Sequence, residues 1–142
     1  MLVIDPESIQ EIERIDAAAP QTESGASPEL PEAPAGILPT GTVALTGEIM
    51  DSKCYLGAMN PGERKVHRAC AIRCISGGIP PVFVVRTTGG SIQHLLLVSP
   101  EGKAVNAEVL EHVALPLRVR GEVRYAGGQY MLYADPARFE RL

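Results

Sequence analysis

Cys54, His67, Cys70 and Cys74 are the residues of this chain best suited to chemistry, and the three cysteines are all that it has. Three thiolates and one imidazole make a complete donor set for a tetrahedral zinc ion. Other soft or borderline metals use the same donors. At about 100° per residue, positions 67, 70 and 74 fall within an arc of roughly 60° on one face of a helix. The stretch "HRACAIRC" (67–74) would then carry a ligand stripe, and Cys54, in the loop ahead of it, could fold back over that stripe. Axial rise weighs against the histidine. His67 and Cys74 sit about 10.5 Å apart along a regular helix, whereas ligands of one tetrahedral ion sit about 3.5 to 4 Å apart. Asp51, in "DSKC", is the alternative fourth donor.

Two further readings of the cysteines stay open. Cys54 could pair with Cys70 or Cys74 as a disulfide in an oxidising compartment, leaving one odd thiol. Thiol redox chemistry by Cys54 or Cys70 belongs with this reading, although the C-x-x-C pair of dithiol exchangers is missing. Alternatively, Cys70 and Cys74 are small core residues beside Val66 and Ile72, since free cysteine is commonly buried. Lys53, Arg64, Lys65, Arg68 and Arg73 surround the cysteines in sequence, opposed only by Asp51 and Glu63. Nearby cations favour thiolate, so raised nucleophilicity and metal affinity are expected, unless the arginines, Arg68 and Arg73 above all, simply form a solvated helix face. Met50 and Met59 flank Cys54 and would be soft donors, but methionine is more often a gap filler.

Positioning these residues requires a fold, and residues 41–142 are enough for one small core. "TVALTGEIMD" (42–51) alternates around Val43, Leu45, Gly47 and Ile49 as a half-buried strand does. "RKVHRACAIRCI" contains no breaker, and "SGG" after it suits a glycine cap. "PPVFVVRTTGGSIQHLLLV" reads as a hairpin, with Pro80 and Pro81 fit only for a strand start or edge. "NAEVLEHVA" reads as a second short helix, N-capped by Asn106 and ending near a cationic His112. "LPLRVRGEVRYAGGQYMLYA" is another hairpin, with Leu117, Val119 and Val123 inward and Arg118, Arg120 and Arg124 outward. A mainly β fold with inserted helices follows, expected as a small OB-like five-stranded barrel, with an open α+β sheet as the alternative.

Residues 1–40 differ from the rest. They hold eight acids and one base, a net of −7, whereas residues 41–142 carry a net of +3. "AAAPQTESGASPELPEAPAGILPT" (17–40) has too little apolar surface to offset its ordering entropy and reads as a disordered linker. "MLVIDPESIQEIERI" could form a short helix, with Ile9, Ile12 and Ile15 spaced by three, marginal if alone. The N-terminus has no basic flank, apolar run or small-residue cleavage site, so no secretory leader is read in it. No stretch is long enough to span a bilayer.

"GEIMDSKCYLGAMNPGERKVHRACAIRCISGGIPPVFVV" resembles a group of small bacterial proteins in which D-x-x-C follows the first strand. An H-x-x-C-A-x-x-C helix and a GG-x-P exit then lead into an OB-like barrel. The resemblance covers about two-thirds of the chain and implies that Asp51, Cys54, His67, Cys70 and Cys74 form one motif. Members often look exported or membrane-tethered, which implies a bacterial periplasmic or membrane-associated setting if a leader or anchor precedes this chain. The group brings no activity with it.

No phosphate-binding loop, serine triad or paired carboxylates are recognisable, and His94 and His112 read as structural. The expected function is a non-catalytic module, binding zinc or stapled by cysteines, that serves a protein partner or larger assembly. Binding of single-stranded nucleic acid, a common use of OB barrels, is disfavoured. Aromatic residues make up only 4% of an acidic chain, with Phe83, Tyr125, Tyr130 and Tyr133 as the candidates for stacking.

Overall fold

The computed structural model of the chain describes residues 38–58, 64–87 and 90–142. The N-terminal helix and linker expected before position 38, Met59 and the "NPG" turn lie outside the described residues. The described elements are β1 (Gly41–Asp51), a wide helical turn (Cys54–Ala58), α1 (Arg64–Ser76), β2 (Pro81–Arg86) and β3 (Ile92–Val98). They continue with a 3-10 turn (Leu110–His112), β4 (Leu117–Ala126), β5 (Gln129–Tyr133) and a two-residue β6 (Glu140–Arg141).

The strands close on themselves. Their order is β1-β2-β3-β5-β4, and β4 pairs back to β1, so five strands form a closed barrel with β6 added at the β4 edge. All the pairings are antiparallel except β3 with β5. Closure depends on β1 serving two neighbours. Its first part, Gly41 to Gly47, pairs with β4, and its second, Gly47 to Asp51, pairs with β2. Gly47 belongs to both ladders, and a Cβ there would stand 2.2 Å from the Val84 carbonyl oxygen and 3.0 Å from the Phe83 ring. Only glycine lets the strands approach so closely at this junction.

The interior follows the alternation in the sequence. Leu117, Val119 and Val123 are buried, whereas Arg118, Arg120 and Arg124 are exposed. β2 is buried on both faces from Pro81 to Val85, as its continuous apolar run implies. The core joins Ile49, Phe83, Leu95, Leu97 and Leu132 to Ala71 and Ile75 of α1.

The second expected helix does not form. Residues 106–113 make successive turns and one 3-10 turn, and among the described residues α1 is the only α-helix. Val105, Val109 and Val113 are all buried, so this segment contributes to the core as a string of turns. Its two ends are tied elsewhere. The Ala114 amide donates to the Ile49 carbonyl at 2.9 Å, and the Asn106 side chain, expected as an N-cap, donates to the carbonyls of Ile75 and Ile79 at 2.8 and 2.9 Å.

α1 ends as "SGG" predicts. Gly78 takes φ +98°, its amide donates to the Ile75 carbonyl, and the Ile79 amide reaches back to the Cys74 carbonyl at 3.0 Å. These paired bonds around a left-handed glycine close the helix and satisfy two of its last carbonyls. The excursion from β1 through α1 returns to its starting point. Asp51 pairs with Pro81, and the Ser52 amide donates to the Pro80 carbonyl at 3.2 Å.

Candidate metal centre

Asp51 is the last residue of β1 and wholly buried. Its Oδ1 accepts a 2.7 Å hydrogen bond from the Cys54 amide. A carboxylate that accepts from the amide three residues on is an N-cap, and this is what "D-x-x-C" encodes locally. The cap turns the chain out of the strand and fixes Cys54 at the start of the wide turn. The other oxygen, Oδ2, lies 2.9 Å from His67 Nε2 in the first turn of α1. One carboxylate thus positions a residue on each of the two elements that meet here.

The sulfurs converge. Cys54 Sγ lies 3.8 Å from Cys70 Sγ and 3.8 Å from Cys74 Sγ. Donor atoms of Cys54, His67 and Cys70 all fall within 4.8 Å of one another, as do those of Asp51, Cys54 and Cys74. Cys54 is common to both groups, so a side chain arriving from off the helix links its successive turns. These five residues could hold a metal ion. All three cysteines are free thiols.

Burial separates this cluster from ordinary packing. The inward stripe of α1 is His67, Ala71 and Ile75, spaced by four, with Cys70 and Cys74 half-buried beside it. Val66, expected to share the core with the cysteines, is 82% exposed, and Ile72 packs only at the core margin. Met50 is fully buried and belongs to the core, in line with a gap-filling role.

At Cys54 and Cys74 the expectation of cation-activated thiolates is overturned. Burial, then hydrogen bonding to Asp51 and to the other two thiols, pushes the Cys54 thiol up to about 12. Burial and the Asp51 charge push Cys74 up as well. Arg68 donates from Nε to the Val113 carbonyl at 3.1 Å and from Nη2 to that of Glu111 at 3.4 Å, while Lys53, Arg64, Lys65 and Arg73 are exposed. For Asp51, burial alone would raise the pKa, but hydrogen bonds from the Cys54 amide and His67 outweigh it and hold the carboxyl below its usual range.

The remaining histidines stand apart from the cluster. His94 lies in β3, with its ring centroid 5.2 Å from that of Tyr55, and burial lowers its pKa. His112, expected as a cation at a helix end, packs edge-on against Phe139 at 5.5 Å. Burial first, then Arg141, pushes its pKa down, so it is neutral near pH 7. Among the stacking candidates, Tyr125 and Tyr130 lie 4.8 Å apart with Tyr130 buried, and Phe83 is fully buried.

Asn106 is a supporting residue that sequence reading assigned to the wrong helix. A polar residue ahead of an apolar run is the signal for an N-cap, and nothing in it shows that a distant helix end would compete for the same amide. No protein-family model, curated protein or solved structure matches the chain significantly. Its function is therefore read from the chemistry of the site.

Proposed function

We propose that the chain is a non-catalytic metal-binding module, with zinc held by Cys54, Cys70, Cys74 and His67, serving as an accessory domain in a larger assembly. The observation that carries this reading is the position of Cys54 Sγ, 3.8 Å from each of the other two sulfurs. Three thiols and an imidazole suit zinc better than hard cations. Asp51 fits the supporting role, because a metal-bound histidine ordinarily donates its other ring N–H to a carboxylate. The Nε2 bond to Asp51 leaves Nδ1 as the ring nitrogen for the ion. Cys54 and His67 are only 5% and 3% exposed, which favours a structural ion over a site that admits substrate.

The closed strand order, with its parallel β3–β5 pair and its shared first strand, supports the OB-type reading of the barrel. The convergence of all five motif residues supports grouping the chain with the bacterial D-x-x-C, H-x-x-C-A-x-x-C proteins. A periplasmic or membrane-associated setting is part of the same proposal.

Elemental analysis of untagged protein, paired with thiol counting, tests the metal reading. One zinc per chain, with thiols that react only after chelation, is expected, and Cys70→Ser should lower the zinc content. No stoichiometric metal and three freely reactive thiols would leave only cysteine packing. No metal and a single reactive thiol would instead support a disulfide between Cys54 and Cys70 or Cys74, which the equal sulfur separations favour as the second reading.

A further inference from the structure

Cys54 occupies the middle of the cysteine cluster, and the other two sulfurs form its edge. Cys54 Sγ lies 3.8 Å from that of Cys70 and 3.8 Å from that of Cys74. Cys54 is 5% exposed, whereas Cys70 and Cys74 are half-buried on α1. The two helix cysteines fall in different donor groups, and Cys54 belongs to both. A small reagent arriving from solvent therefore meets Cys70 or Cys74 first, and either one has Cys54 as its sulfur neighbour.

The separation suits two chemical states. Sulfurs that share one tetrahedral ion stand about 3.5 to 4 Å apart, which the observed 3.8 Å satisfies. A disulfide needs about 2.05 Å, so either pair must close by about 1.8 Å from its 3.8 Å separation. Turning a cysteine side chain between staggered positions moves its sulfur by about that much. The backbone need not move for the cluster to pass from one state to the other.

We propose, resting on the metal reading above, that the cluster is a peroxide-responsive zinc site in which Cys54 is the resolving thiol for both Cys70 and Cys74. The thiolate of Cys70 or Cys74 attacks hydrogen peroxide, takes up one oxygen as a sulfenic acid and releases hydroxide. The Cys54 thiolate then attacks that sulfur and displaces a second hydroxide, closing the disulfide. Two thiolates, one hydrogen peroxide and two protons thus give one disulfide and two waters. The sulfurs lose two electrons and the peroxide oxygens gain them. One thiolate and His67 remain, half of the donor set, and zinc is released. The bond from the Cys54 amide to Asp51 and the packing of Ala71 and Ile75 do not involve sulfur, so the fold outlasts the change and a dithiol reductant reverses it.

Peroxide treatment of the zinc-loaded full chain, beside a chromophoric chelator, tests it. Zinc should reach the chelator at least about tenfold faster than without peroxide, with about one ion released per disulfide formed. Trypsin cleaves after Lys53, Arg68 and Arg73, which puts the three cysteines on separate peptides for mass spectrometry. The links found should join Cys54 to Cys70 or to Cys74, and a dithiol with added zinc should restore the loaded state. Cys70→Ser and Cys74→Ser should each form the one remaining link to Cys54, and Cys54→Ser should form none. The map of the unmutated chain decides the matter even where a variant does not fold. A link between Cys70 and Cys74, sulfinic acid in place of a disulfide, zinc retained throughout, or a failure of the dithiol to restore binding would overturn the proposal. Protein that takes up no zinc before peroxide is added overturns the metal reading and this inference with it, so the two failures appear at different steps.

Discussion

Asp51 and His67 form a buried carboxylate–imidazole pair, Oδ2 to Nε2 at 2.9 Å, while the other Asp51 oxygen caps the turn that begins with Cys54. The two duties can be separated by mutation. Asparagine retains an oxygen for the Cys54 amide but cannot accept from His67 in the same way. Asp51→Asn should therefore leave the fold intact and weaken zinc binding by about 10- to 100-fold, the usual effect of losing a supporting carboxylate. Competition against a chromophoric chelator at constant pH measures it. Asp51→Ala, which also removes the cap, should cost about a further 1 kcal/mol of stability.

Cys54 is the sulfur shared by both donor groups, so Cys54→Ser should reduce metal affinity more than Cys70→Ser or Cys74→Ser. Because the Cys54 thiol is pushed up to about 12 and that of Cys74 is also raised, both are protonated at neutral pH and must release protons on binding. Affinity should rise with pH, by up to about tenfold per unit for each proton released. Calorimetry in two buffers of different ionisation enthalpy counts these protons, and release of none would contradict thiol ligation. Chelation should lower unfolding stability, by about 4 kcal/mol relative to protein held at a thousandfold excess of free metal over its dissociation constant.

Acid should destabilise the metal-free protein in two separate ranges. His94 and His112 both have folded pKa values below the usual 6.5. The unfolded chain then binds more protons in mild acid, and stability present above about pH 6.5 is lost as pH falls below it. Asp51 acts lower down. Its folded value lies under 3.8, so its contribution is complete above that pH and disappears only as pH falls further. Urea titrations across pH in the presence of chelator should show both limbs, with His112→Gln flattening only the upper one.

Gly47 has no room for a side chain. A methyl group 2.2 Å from the Val84 carbonyl would force apart the ladder that β1 shares between β2 and β4. Gly47→Ala should cost about 1–3 kcal/mol, typical of overpacking. It should appear as a lower urea midpoint with unchanged slope.

Asn106 satisfies two carbonyls at the exit from α1. Asn106→Ala should cost about 1–3 kcal/mol, because the Ile79 carbonyl loses its donor while that of Ile75 keeps only the Gly78 amide. Amide exchange should quicken at the last turn of α1 more than in β4 or β5.

The strands and α1 were legible because their signals are local: alternation at Val43, Leu45 and Ile49, an unbroken run from Arg64, and glycines where the helix stops. Grouping of the sulfurs was legible from Cys70 and Cys74 lying one helical turn apart. The uncertain standing of His67 came from measuring it against Cys74 along the helix axis. The structure instead relates His67 to Cys70 and Cys74 to Asp51, through a Cys54 that arrives from outside α1. The false helix at 106–114 and the misread Arg68 share a cause. In both, a nonlocal carbonyl captured the side chain, of Asn106 in one case and Arg68 in the other, and no local pattern announces such a partner.

Because Asp51 pairs with Pro81, everything between them leaves and re-enters the barrel across a single rung. The cysteine cluster is, in effect, a cassette spliced into a hairpin. Its transplantation to another antiparallel pair would need an apolar wall to receive Ala71 and Ile75, along with the grip of Asn106 on the outgoing helix and the reach of Arg68.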